Sequence, residues 1–250
     1  MSFKEKTVII SGGASGIGAA AVHEFVADGA RVYILDIIPP RVSRDTVTFF
    51  ECDVRSYAQI ENAIKEISSK EEKIDCLVAC AGIHFSGSIE DTDLETFERV
   101  LSTNFKGVFY VLKCVLPIVR QQGHGSIVLV GSDQSLIGKK KSAIYGATKG
   151  AIGQLTKSTA LDYAEYGIRV NCVCPGAIDT PLCDGALRSY LEKFGSGSKE
   201  DLLAQLKEKH PLKRIGSSEE VAHLIHFLCS DKASFITGTL VSVDGGYVAQ

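Results

Sequence analysis

The stretch TVIISGGASGIG, residues 7–18, joins a short apolar run to a glycine-rich turn, and an amphipathic segment continues from it to about Asp28. This order reads as strand, turn and helix. Gly12, Gly16 and Gly18 permit a tight turn and a close backbone approach to a ligand, with Ser15 and Ile17 between them. The helix start behind them offers free N–H groups and the positive end of a dipole to a phosphate. A glycine-rich loop alone is weak support for a nucleotide site; the flanking strand and helix strengthen it.

Working outward, a second apolar run covers Arg31–Leu35 and ends in Asp36. An acid there can accept hydrogen bonds from both hydroxyls of an adenosine ribose and repels a 2′-phosphate. The alternative is a simple strand-end cap. Position 15 is Ser rather than a basic residue, and Arg41 and Arg44 lie beyond the turn at Pro39-Pro40. The expected cofactor is therefore NAD rather than NADP.

The same alternation continues through the chain. Strands are expected at 47–52, 76–81, 126–130, 169–174 and 240–243. Helices are expected over about 56–70, 93–122 (in two pieces meeting near Asn104), 143–165 and onward from the Ser217–Glu220 capping box. With no linker or internal repeat, this predicts one α/β domain over 1–250. It is a single-domain Rossmann fold, a doubly wound parallel sheet of about seven strands with helices on both faces. The glycine loop, Asp36, Asp53, Gly82, Ser132 and Pro175 all follow strand ends, so they converge on one edge, where such sheets bind ligands. Residues 182–212 carry two helical patterns around Gly195-Ser196-Gly197-Ser198 and are expected to form a substrate lid hinged there.

Composition excludes other classes. The net charge is −3 and the longest basic cluster is Lys139-Lys140-Lys141, too short for a nucleic-acid arm. No apolar run has the roughly 18 residues of a membrane span, and the start reads straight into a strand without a signal peptide. The eight cysteines form no Cys-x-x-Cys pair, so buried free thiols in a reducing, cytoplasmic setting are expected, with no metal.

Tyr145 and Lys149 are four apart in a helical pattern, hence on one face. An ammonium one turn away would lower the phenol pKa and let Tyr145 exchange a proton. Taken alone, the pair also fits an ordinary surface contact. Ser132 ends the buried run GSIVLVG, where its hydroxyl can meet that tyrosine. Asn104 reads on its own as a helix cap.

Together these motifs resemble the short-chain dehydrogenase/reductase family over essentially the whole chain. SGGASGIG is similar to the family's TGxxxGIG, with Ser11 for Thr. Asp36 matches its NAD-selecting acid, and Asp53-Val54 the pair beside the adenine. Ala79-Cys80-Ala81-Gly82 stands where the family has NNAG, and Cys80, Ala81 and Gly82 would meet the cofactor through backbone. Pro175-Gly176 with Ile178 and Thr180 matches the segment holding the nicotinamide amide. The resemblance implies a catalytic tetrad of Asn104, Ser132, Tyr145 and Lys149. Tyr145 would be the acid/base, Lys149 its partner and a ribose ligand, Ser132 the holder of the substrate oxygen and Asn104 the support of a water. It implies hydride transfer between NAD(H) and a secondary alcohol or ketone, and a homotetramer. His84 and Gln134, with Tyr145, are expected to touch substrate; Asp133 and Lys139–Lys141 flank them. A catalytically silent NAD-binding sensor of the same fold is the other reading.

Overall fold

Aliphatic and β-branched residues fill the strands, and their alternation feeds two cores. The computed structural model describes residues 2–195 and 197–250. Among them, β1 (Thr7–Ser11), β2 (Arg31–Asp36), β3 (Val47–Glu51), β4 (Cys76–Ala79), β5 (Gly125–Val130), β6 (Ile168–Pro175) and β7 (Leu240–Val243) form one sheet. All neighbours are parallel, in the order β3-β2-β1-β4-β5-β6-β7. The helices are α1 (Gly16–Ala27), α2 (Tyr57–Lys70), α3 (Leu94–Leu101), α4 (Gly107–Gln122), α5 (Ala143–Tyr163), α6 (Pro181–Phe194), α7 (Lys199–Lys209) and α8 (Ser218–Cys229). Ile9, Leu77 and Leu129 face α2, α4 and α5, whereas Val8, Ile10, Val78 and Val128 face α1 and α8. This is the doubly wound Rossmann arrangement.

The chain leaves β1 toward β2 and β3, then crosses back to β4 and continues outward to β7. The carboxyl ends of β1 and β4 therefore flank the point where strand order reverses, and a crevice opens there. Gly12 makes the narrow passage between them possible. Its φ is +71°, and a Cβ on it would lie 2.6 Å from the Ala81 Cα.

Several boundaries differ from expectation, and those nearest the cleft matter most. β4 stops at Ala79, so Cys80 and Ala81 already belong to the loop, and β6 runs on to Pro175. The helix over 93–122 does not break near Asn104. It widens into a π turn, Ser102–Lys106, and continues. Asn104 sits inside that turn, fully buried, and caps nothing. Wide turns of this kind gather at functional sites.

All eight cysteines are free; Cys52, Cys76, Cys172, Cys174 and Cys229 are buried, and Cys80, Cys114 and Cys183 are half-buried. Burial pushes the Cys52 and Cys80 thiols up to about 11. Among the described residues no helix is long and apolar enough to cross a membrane. Helices α6 and α7 pack more lightly than the rest. Leu187 is the one buried residue of α6, and α7 has none. Of the expected Gly195–Ser198 hinge, Ser196 lies outside the described residues.

Candidate active site

A cleft of about 1140 Å³ runs along the carboxyl edge of the sheet. Its floor is the turn between β1 and α1. Ser15 is the N-cap of α1 yet makes no side-chain cap bond, and the first turn holds no acid. The leading N–H groups are thus left to a ligand. Gly18 is indispensable to this shape: a Cβ there would sit 2.0 Å from the Gly12 carbonyl oxygen. Asp36 leans over the loop and accepts from the Ala14 N–H at 3.0 Å. Arg41 and Arg44 are exposed and do not line the cleft.

Further along, Asp53 and Val54 line the wall, but the Asp53 carboxylate is already engaged. It accepts from the Arg55 backbone N–H at 2.9 Å and from its guanidinium at 2.6–3.0 Å, and that partner lowers its pKa. Cys80, Ala81 and Gly82 follow, then Pro175, Gly176, Ile178 and Thr180 on the opposite rim. Thr180 caps α6 by accepting from the Cys183 N–H at 3.2 Å, and its Cγ2 packs toward Gly16. A glycine cradle with open helix N–H groups, bordered by a carboxylate at the end of β2, fits a dinucleotide. Gly12, Ser15, Gly16, Ile17 and Gly18 would hold its phosphates and Asp36 its adenosine ribose.

The four expected catalytic residues meet where β4, β5 and α5 converge. Asn104 clamps the loop after β4. Its Oδ1 accepts from the Ile83 N–H at 2.8 Å and its Nδ2 donates to the Ile83 carbonyl at 2.9 Å. A Cβ on Gly82 would stand 3.4 Å from Asn104 Oδ1 and 3.7 Å from Lys149 Nζ, so the three are mutual neighbours. Tyr145 and Lys149 share the inner face of α5, both buried. Lys149 donates to the Val130 carbonyl at 2.8 Å. Its Nζ lies 5.8 Å from the Tyr145 ring centre.

The expected lowering of the Tyr145 pKa by Lys149 is not what this arrangement produces. Burial pushes the phenol well above its ordinary value. The nearby Ser132 hydroxyl pulls it down and the Asp133 carboxylate pushes it up. Lys149, turned toward Val130, is itself held below its usual pKa by burial. In this form of the site Tyr145 is a phenol.

On the substrate side, the His84 ring lies 4.6 Å from the Tyr145 ring, and burial followed by the charges of Lys139 and Lys149 lowers its pKa to about 4. Gln134 lines the cleft, with an Oε1 that has no partner. The lysine cluster divides. Lys139 pairs with Asp133 at 2.5 Å and Lys141 with Asp91 at 3.0 Å; both are therefore engaged, and Lys140 is exposed. Several liners escaped the sequence. Tyr190 comes from α6 and Leu206 from α7. His210 packs 5.1 Å from Tyr247, which brings the last turn of the chain into the wall. None belongs to a short motif; only their types, aromatic or apolar in a lid-like segment, were legible. Arg55 could have been found from its place two residues after Asp53.

A family model described as "Enoyl-(Acyl carrier protein) reductase" matches residues 12–248. An uncharacterised oxidoreductase of Thermotoga maritima is 37% identical, with 100% of each chain covered. Meso-2,3-butanediol dehydrogenase of Serratia marcescens is 33% identical over 100% of this chain and 97% of its own. Among solved structures, ligand-free aldohexose dehydrogenase of Thermoplasma acidophilum superposes with a TM-score of 0.91 at 36% identity, covering 99% of this chain and 96% of its own. ElxO with NADP bound superposes with a TM-score of 0.89 at 31% identity, covering 98% and 100%. Motif spacing, sheet order and these likenesses lead to one conclusion: the chain belongs to the short-chain dehydrogenase/reductase family and is an oxidoreductase of that family.

Proposed function

We propose that the chain interconverts a secondary alcohol and its ketone with NAD(H), using Tyr145 as the proton-exchanging group. The observation that carries this is the convergence of Tyr145, Ser132 and Lys149 on the cleft whose floor is the glycine loop, with Asn104 buried behind Gly82 beside Lys149. Relatives named for hydroxyl-bearing molecules, meso-2,3-butanediol and aldohexose among them, support an alcohol substrate. Asp36 over the loop, with Ser15 in place of a basic residue, favours NAD over NADP, in contrast to ElxO.

When bound, the cofactor supplies the hydride acceptor or donor at its nicotinamide and, when oxidised, a positive charge. Tyr145 takes the hydroxyl proton of the alcohol, or returns it to the carbonyl oxygen. Lys149 would hold the nicotinamide ribose, and the positive charge of the oxidised cofactor would favour the phenolate. Ser132 fixes the substrate oxygen, Asn104 holds the loop after β4 and supports a water, and His84 and Gln134 touch the rest of the substrate. Val54, Cys80, Ala81, Gly82, Pro175, Gly176, Ile178 and Thr180 complete the cofactor wall, with Asp53 beside the adenine. Helices α6 and α7, within 182–212, form the lid. The exposed Ala147 and the half-buried Gly150 of α5, where a Cβ would meet no atom within 4 Å, suit a helix-on-helix contact in a homotetramer. The free thiols suit the cytoplasm.

A panel of secondary alcohols, polyols and hydroxy acids with NAD+ or NADP+, followed at the reduced-nicotinamide absorbance, tests the reading. Tyr145→Phe is expected to lower kcat by about 1000-fold while NAD binding by calorimetry is retained. Retention of most activity by that variant would refute the assignment.

A further inference from the structure

The Ser132 hydroxyl has one proton to donate and two lone pairs. Its proton goes to Asp133 Oδ1 at 2.9 Å. One lone pair accepts from the Gln134 N–H at 3.2 Å. Ser132 lines the cleft beside Tyr145, so the remaining lone pair is the one open to a ligand there. Asp133 itself is 1% exposed. A carboxylate so buried needs a counter-charge. Lys139 supplies it at Oδ2, 2.5 Å away, with its ammonium also 4.5 Å from the Tyr247 ring centre. Both carboxylate oxygens are thus used, and neither is left for substrate.

We propose that Asp133 and Lys139 are a charge-balanced positioning pair that fixes Ser132 as a hydrogen-bond acceptor toward the reacting oxygen, so that the site receives the alcohol in preference to the ketone. This rests on the alcohol–ketone reading of the site and deepens it. An alcohol hydroxyl can donate to the free lone pair of Ser132. A ketone oxygen needs a donor, and to supply one Ser132 must leave a carboxylate. Hydrogen bonds to ionised acceptors are about twice as strong as neutral ones, so that exchange is unfavourable.

The pair also acts on the proton balance of Tyr145. The groups facing that phenol are His84 from the loop after β4, Ser132 and Asp133 after β5, Lys139 behind Asp133, and Lys149 on α5. His84 is neutral above about pH 4. The Asp133 charge opposes ionisation of the phenol and Lys139 screens that charge. Removing one or the other should therefore move Tyr145 in opposite directions. A pair that only pins the loop over 136–142 would not do so.

The test is a cycle of four proteins, the native chain, D133N, K139M and the double variant, assayed with NAD+ and a secondary alcohol from the panel. The D133N variant is expected to move the acid limb of kcat/KM down by about one pH unit and to lower the KM of the ketone relative to the alcohol. K139M is expected to move the limb up, and the double variant to return near the native profile. Shifts in one common direction, or four superimposed profiles, would overturn the pair. A readout independent of turnover is the ionised fraction of Tyr145 at pH 10, from tyrosine labelled at 13Cζ and assigned with Y145F. It should rise about tenfold in D133N and fall back in the double variant. If this spectroscopic cycle holds while no alcohol turns over, the alcohol reading fails and the pair stands. If alcohols turn over while the ionised fraction is the same in all four, the pair fails and the reading stands.

Discussion

The floor of the cleft and its roof are built on opposite principles. The floor, β1 to β5 with the glycine loop, is set by contacts with no slack: backbone against backbone at Gly12 and Gly18, and side chains buried on both faces of the sheet. The roof, α6 and α7, has one buried residue between its two helices, which the ion pair Lys199–Asp184 links to each other. The floor can hold one constant ligand with high precision. Segments with few buried contacts lie at the low end of local stability, so the roof is expected to open at smaller cost than the floor. Chemistry that must admit and release a variable substrate over a fixed cofactor needs both.

Breaking the floor should have the largest effect. In Gly18→Ala the added Cβ must displace the Gly12 carbonyl, at about 3 kcal/mol or more. Calorimetry is expected to show NAD affinity reduced on the order of 100-fold; affinity within threefold of the native value would count against the rigid-floor account. At the rim of the floor, Asp36→Ala removes a charged acceptor expected to contribute about 1.5–3 kcal/mol. The ratio of kcat/KM for NAD over NADP should then fall about 10- to 100-fold, and an unchanged ratio would remove Asp36 as the selector.

The roof should respond differently. Leu187→Ala takes away its only buried anchor, at about 2 kcal/mol. Proteolytic nicking between α6 and α7 should accelerate and substrate KM rise, with the Tm of the main transition little changed. A Tm loss as large as that of a sheet mutation would mean that the roof folds with the floor. The smallest expected effect lies at the outer edge of the floor. Burial alone would raise the Glu71 pKa, but the Arg31 guanidinium at 2.8 Å and the Tyr33 hydroxyl at 2.6 Å outweigh it and hold the carboxyl below 4.5. A carboxyl depressed by folding stabilises fully above its unfolded value and loses that contribution as pH falls through the folded one. Glu71→Gln should therefore cost about 1 kcal/mol at pH 7, because Arg31 is partly in water. It should cost nothing at pH 2, as urea titrations at the two pH values would show.

Much of the floor was legible because its rules are local. Apolar runs gave all seven strands, and fixed spacings gave the glycine loop, Asp36 and the Ser132–Tyr145–Lys149 set. The π turn at Ser102–Lys106 was not legible, since Val100, Asn104, Val108 and Val111 keep an ordinary helical spacing through it. The Lys139–Asp133 pair was hidden because a loop of six residues leaves the direction of a lysine open; only the fold turns it inward. The effect of Lys149 on Tyr145 was misjudged for a related reason. Four-residue spacing fixes the helix face, but the Val130 carbonyl decides where the ammonium points. Roles assigned by family resemblance rest on their own tests.

The cysteines described above give the molecule a set of internal clocks. Cys183 rides on α6, while Cys52, Cys76, Cys172, Cys174 and Cys229 are sealed in the cores. A thiol must be exposed and ionised to be alkylated. The rate at Cys183, half-buried on the cleft wall, should report local access under the roof, and the rates at the five core thiols should count unfolding of the whole domain. Modification followed thiol by thiol, with and without cofactor, would time both motions in one sample of the unaltered chain.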